Sequence, residues 1–256
     1  MRNLTLLLTA LVIAAPLAAQ DYHFTKEMAP GTKLRIENIN GEVRATQGTG
    51  RTAEITVTKT VKSGDGTLVK SIMEEAGDGI RVCTVYLTRD RNRSSCKGDG
   101  NDSGRFKDKL DVTMTYVVRV PAGVRLDVDA VNGAVTVTGL DASVRAQTVN
   151  GSVNFEGANA SALSTVNGQV RGVFTKANWE GQLHIETVNG GVDLTFPANF
   201  AADVSGETVN GGVVTAFPIT IEGKWGPKSF RGTIGNGGGR SLKIETVNGG
   251  ITLRKP

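Results

Sequence analysis

Three glutamates, Glu186, Glu207 and Glu245, open three copies of the hexapeptide ETVNGG, and His184 stands two residues before the first. Carboxylates repeated at one position of a repeat, with a histidine beside them, can collect a divalent cation or a basic partner. They can equally be the solvated side of a strand. At a strand spacing of about 4.8 Å in water, each like-charge pair costs only about 1 kcal/mol, which an exposed face tolerates. Asp129 occupies the same position in an earlier, relaxed copy.

Other chemistry is thin. His23 and His184 are the only histidines, with no HExxH spacing and no GxSxG elbow, so no metal site, cofactor or catalytic residue is assigned. The GNGGG run at Gly235 lacks the Lys-Ser or Lys-Thr of a phosphate loop and reads as a turn. DGNDSG at Asp99 opens like a calcium loop, but Leu110 stands where the bidentate glutamate belongs. A polysaccharide lyase or hydrolase is the alternative function, requiring paired carboxylates and aromatic sugar platforms, for which Trp179 and Trp225 are the tryptophans present.

The elements that must position these residues are strands. Gly is abundant at 33 residues and Pro scarce at 7, and alternating runs such as LRIENI, AEITVTKTV and VRLDVDAV recur. No segment keeps a helical period over ten residues; the best candidate, LVKSIMEEAG at Leu68, is short. The chain is therefore all-β.

Asn-Gly pairs punctuate it at Asn132–Gly133, Asn150–Gly151, Asn167–Gly168, Asn189–Gly190, Asn210–Gly211 and Asn248–Gly249, in steps of 18, 17, 22, 21 and 38 residues. A β-hairpin turn is one use of Asn-Gly, giving an antiparallel meander. It would set Glu186 opposite Asp193, an unfavourable like-charge pair. A β-solenoid resembling a parallel β-helix, with each Asn-Gly at a corner, explains more. It aligns Val131, Val149, Val166, Val188, Val209 and Val247 before the asparagines, and Val135, Val153, Val170, Val192, Val213 and Ile251 three residues after them. Thr148, Thr165, Thr187, Thr208 and Thr246 form a third column. Stacked Val-Asn-Gly units would place the valines of both columns in a common core and let the Asn amides bond from unit to unit. The last step of 38 reads as two units or one long insertion.

Residues 1–20, with Arg2 ahead of an uncharged run from Leu4 to Leu17, read as a signal peptide cleaved near Ala18, Ala19 or Gln20. No cysteine follows that region for a lipid anchor, and no later run approaches a membrane span. The exported protein is expected in the periplasm or outside the cell. Without Arg2 the net charge is +3, dispersed, with no basic stripe to suggest nucleic acid. Residues 21–120 form an amino-terminal β region and residues 121–256 the repeat region. Export and an even count predict a Cys83–Cys96 disulfide stapling a polar loop over residues 89–109.

The run YVVRVPAGVRLDVDAVNGAVTVTGLDASVRAQTVNGSV, the later repeats and the ending FRGTIGNGGGRSLKIETVNGGITL resemble the bacterial β-strand-repeat family called "putative adhesins", domain of unknown function 4097. The likeness covers about residues 30–256. It implies an exported solenoid-like fold and a loose association with the cell envelope, and it brings no activity, cofactor or catalytic residue. With chemistry this thin, a noncatalytic, adhesin-like surface or scaffold module for an envelope glycan or protein is the leading reading.

Overall fold

The computed structural model describes residues 20–87, 95–96, 110–223 and 226–256. The leader apart from Gln20, the 89–109 loop apart from Ser95 and Cys96, and Trp225 lie outside the described residues. The protein is all-β. Its amino-terminal strands are β1 (Gln20–Glu27), β2 (Lys33–Asn40), β3 (Val43–Gln47), β4 (Thr52–Ser63), β5 (Val69–Ala76), β6 (Gly79–Tyr86) and β7 (Asp111–Val120). The Leu68 segment thus runs mainly as strand β5. Next come β8 (Arg125–Asn132), β9 (Val135–Leu140), β10 (Val144–Asn150), β11 (Val153–Gly157), β12 (Ala160–Asn167), β13 (Val170–Phe174), β14 (Gln182–Asn189) and β15 (Val192–Thr195). The last are β16 (Ala202–Asn210), β17 (Val213–Thr215), β18 (Thr220–Glu222), β19 (Lys228–Ile234), β20 (Ser241–Asn248) and β21 (Ile251–Arg254).

They form two large mixed sheets, neither of them closed. One has ten strands in the order β1-β4-β7-β3-β9-β11-β13-β15-β21-β17, the other eleven in the order β18-β19-β16-β20-β14-β12-β10-β8-β2-β6-β5. Each Asn-Gly leaves a strand of the larger sheet and enters one of the smaller, so none is a hairpin turn. Neighbouring repeat strands run parallel and in register, Asn150 against Asn132 and Val153 against Val135. Antiparallel pairs occur at the margins, in β1-β4-β7, β5-β6 and β16-β19-β18. The meander reading therefore fits only there.

From β8 onward, spatial order departs from chain order once. Strand β20 lies between β14 and β16, so Asn248 sits between Asn189 and Asn210. The 38-residue step is thus an insertion: the chain lays down β16 and β17 at the outside, adds β18 and β19, and returns to fill the position it skipped.

Alternation divides each strand between core and solvent. In β8, Leu126 and Val128 are buried while Asp127 and Asp129 face outward. The column three residues after Asn is core, with Val135, Val153, Val170, Val192 and Ile251 at 0–1% exposure. The valines before Asn, expected in the core, are not in it. Val131, Val149 and Val166 are 38% exposed, Val247 40% and Val209 41%, and Val188 is half-buried. The reason lies one residue earlier. Each threonine points inward and donates its hydroxyl to a glycine carbonyl of the neighbouring unit, Thr148 to Gly133 at 2.9 Å and Thr165 to Gly151 at 2.7 Å. The next side chain must then point out.

A cluster of Phe174, Trp179, Phe196, Phe200 and Phe217 fills the core near its carboxy-terminal end, with Phe196 and Phe200 stacked at 4.2 Å. Cys83 of β6 is bonded to Cys96, with Cα atoms 5.8 Å apart.

Candidate functional site

The outward side chains of the eleven-stranded sheet form rows, because in-register parallel pairing sets equivalent residues side by side. The glutamate row reads Glu207, Glu245, Glu186, Ser164, Gln147, Asp129 and Glu37 across successive strands. The first three are a continuous carboxylate column, with Glu245 in the middle because β20 is interposed, and Asp129 and Glu37 are a separate adjacent pair. Asp129 is parted from the column by Ser164 and Gln147, and its carboxylate pairs with Arg145 at 2.8 Å.

The adjacent row supplies hydrogen-bonding and basic partners. Lys243 Nζ lies 2.9 Å from Glu245, and His184 Nε2 lies 3.3 Å from Glu186 and 3.7 Å from Glu245. The hydrogen bond to Glu245 holds the Lys243 ammonium above its usual range, and the charges of Glu245, Glu207 and Glu186 add to it. This column is a mixed-charge lattice on an exposed surface. Among the described residues no three His, Cys, Asp or Glu groups converge on a point where a metal ion would sit. Farther along the row, burial raises the Glu37 carboxyl against the opposing pull of Arg81.

Beyond the glutamate row runs the apolar one: Ile39, Val131, Val149, Val166, Val188, Val247 and Val209, one per strand. At the turn beyond it stands an amide ladder. Asn132 donates to Asn40, Asn150 to Asn132, Asn167 to Asn150, Asn189 to Asn167 and Asn248 to Asn189 at 2.8 Å, and Asn210 to Asn248 at 2.9 Å. Asn40 closes it by donating to the Tyr86 hydroxyl at 3.0 Å. All seven amides point one way, so their dipoles reinforce one another.

Two depressions lie on this face. One of about 320 Å³ is lined by Asp129, Gln147, Val149, Ser164, Val166 and Glu186. The other, about 520 Å³, is bounded by Ser205, Glu207, Glu222, Arg231, Lys243 and Glu245. The face can therefore hold a long ligand by apolar contact along one row and by hydrogen bonds and ion pairs along the next. Trp179 cannot serve as a sugar platform: it is 2% exposed and its indole donates to the Ser241 carbonyl at 3.1 Å.

Glu186, Glu207, Glu245 and His184 are brought together, whereas the repeat asparagines and glycines line the turn. Lys243 and Arg145 are members of this face not singled out from sequence, and the outward valines were expected in the core instead. The alternation of LKIETV held the signal for Lys243, which is two residues from Glu245 and so on its side of the strand.

No family model and no curated protein sequence matches the chain. Solved structures to which the chain shows similarity include two. A "putative cell adhesion protein" from Clostridium sporogenes ATCC 15579 is 10% identical, with 93% of this chain and 100% of that chain covered and a TM-score of 0.47. A "putative adhesin" from Bacteroides fragilis NCTC 9343 is 13% identical, with 93% and 97% covered and a TM-score of 0.35.

Proposed function

We propose that the protein is an exported, noncatalytic binding module of the cell envelope, adhesin-like in role, whose working surface is the outer face of the eleven-stranded sheet. The observation supporting this is the apolar row: seven branched side chains, Ile39 to Val209, stand on seven neighbouring strands, with all but half-buried Val188 38–41% exposed. At strand spacing the row is roughly 29 Å long. Threonine would serve strand formation as well while exposing less apolar area, so repetition of valine favours a contact surface. Its regular period suits a ligand that is itself extended and regular, an envelope glycan or a protein segment.

On this reading the central parallel strands are a β-solenoid of the domain-of-unknown-function 4097 kind, residues 1–20 are a signal peptide, and the disulfide reflects an oxidising compartment. Residues 21–120 and 121–256 are its two regions, with the second carrying most of the face.

The test is to incubate purified mature protein with cell-envelope fractions and to analyse both the retained material and the supernatant. Retention without release of fragments is expected. Release of glycan fragments would instead make the protein a polysaccharide-processing enzyme.

A further inference from the structure

The carboxy-terminal end of the ten-stranded sheet is unfinished in a specific way. In every inner repeat unit the first glycine after Asn donates its N–H to the asparagine carbonyl of the next unit, as Gly190 does to Asn248 and Gly249 to Asn210. The residue that opens each strand of the smaller sheet likewise donates to the next unit, Val192 to Gly250 and Ile251 to Gly212. Both series stop at Gly211 and Val213, whose N–H groups find no acceptor among the described residues. The amide ladder stops there too, leaving Asn210 Oδ1 without a donor among the described residues. A fourth position is filled by substitution: the Gly211 carbonyl, which a threonine hydroxyl would take in an inner unit, accepts from Lys228 Nζ at 3.2 Å.

Packing is open at the same place. Val213 is half-buried where its equivalents are 0–1% exposed, and Val214 is 64% exposed. The larger sheet continues past β16 with β19 and β18, while the smaller ends at β17. Ile221 of β18, 40% exposed, is opposite buried Phe230 and so faces the core side of that overhang. The recess beside β17 is two strands deep.

We infer that β17 is a docking edge for an extended peptide segment of another protein, one that adds a parallel strand to the ten-stranded sheet. The hydrogen-bond pattern sets its chemistry. An Asn-Gly at its start supplies an amide donor to Asn210 Oδ1 and an asparagine carbonyl to the Gly211 N–H, and the carbonyl two residues on meets the Val213 N–H. Apolar residues then cover Val213 and Ile221. Lys228 stands at one end of β17, and Lys255 lies over the Phe217 ring at 5.2 Å near the other. Neither has a carboxylate within 4.0 Å among the described residues, so the segment carries acidic residues at both ends.

A second copy of this chain, docked head to tail, fills the recess only in part. At the opposite end, beyond the β2–β3 unit, the smaller sheet extends by β7, β4 and β1 and the larger by β6 and β5, a projection of one strand. Edge-to-edge pairing of two β17 strands would drive each overhang into the other copy.

The probe is the fluorescein-labelled, end-blocked octapeptide DNGGITLE, titrated by anisotropy against the mature protein, with amide exchange as the structural readout. Saturable binding is expected, together with at least about tenfold slower exchange at Gly211 and Val213. Val213→Pro, which removes an edge N–H, should weaken binding at least about tenfold. The double variant Lys228→Glu, Lys255→Glu leaves the core untouched; it should lose DNGGITLE and prefer the charge-reversed KNGGITLK. Absence of binding at millimolar peptide, protection confined to other strands, or equal binding by the double variant would overturn the inference. So would a concentration-dependent dimer abolished by Val213→Pro, which would assign the edge to a second copy.

Discussion

Asn132 donates its side-chain amide to Asn40 at 2.8 Å across 92 residues of sequence. That bond joins the amino-terminal strands to the repeat strands, and the same contact recurs through to Asn210. The ladder makes one continuous structure of both sheets' turn side.

A break inside the ladder should cost more than a break at its end. Asn150→Ala removes two amide bonds and Asn210→Ala one, so losses of about 1–2 and about 0.5–1 kcal/mol are expected. For a chain of this size that is about 2–4 °C in Tm per kcal/mol, measurable by calorimetry.

The two glycines that follow Asn should respond unequally to alanine. A Cβ on Gly190 would be driven into the Gly168 carbonyl oxygen, whereas one on Gly212 meets nothing within 4 Å. Gly190→Ala is expected to cost about 3 kcal/mol or more and Gly212→Ala within about 0.5 kcal/mol, read from urea unfolding midpoints.

The reversed facing of the two valine columns gives a paired test. Val192→Asp puts a carboxylate in the core at a position 1% exposed, and a loss of several kcal/mol or failure to fold is expected. Val188→Asp, outward and half-buried, should retain the fold with a loss of no more than about 1 kcal/mol in thermal unfolding.

Much of this fold was legible because the alternation and the repeated TVNG fix which residues share a level. The amide ladder and the core column Val135 to Ile251 follow from that spacing alone. The facing of Val131 to Val247 did not, because either parity of the turn satisfies the repeat; the threonine hydroxyl, seeking a glycine carbonyl, decides it. The placement of β20 between β14 and β16 was hidden as well. Three copies of ETVNGG are interchangeable by sequence, and only the room needed for β18 and β19 outside β16 distinguishes their order. Of the proposed face, Glu186, Glu207, Glu245 and His184 stand out in the sequence because they sit in or beside the repeated hexapeptide, whereas Lys243, two residues before Glu245 on the same strand, lies outside the repeat and is marked only by the strand alternation.

Alkaline stability should depend on Tyr116. Burial pushes its phenol up to about 12 from 10.0, and the neutral hydroxyl bonds to Thr84 at 2.8 Å and Ser71 at 3.1 Å. A raised pKa in the folded state means that this contribution is complete below pH 10 and is lost as pH rises from 10 to about 12, by about 3 kcal/mol. Lys59, lowered by burial, acts oppositely as pH approaches 10.5. Unfolding free energy measured from pH 8 to 12 should fall, and Tyr116→Phe should flatten the fall.

The outer face of the eleven-stranded sheet is tested most directly by the affinity of the mature protein for isolated envelope, measured by sedimentation with the double variant Val149→Lys, Val166→Lys beside it. Both positions are outward and 38% exposed, so the fold should persist, as circular dichroism will check. Each lysine removes apolar contact from the middle of the row, and a drop in affinity of at least about tenfold is predicted. Unchanged affinity in the folded double variant would contradict the assignment of this face as the binding surface.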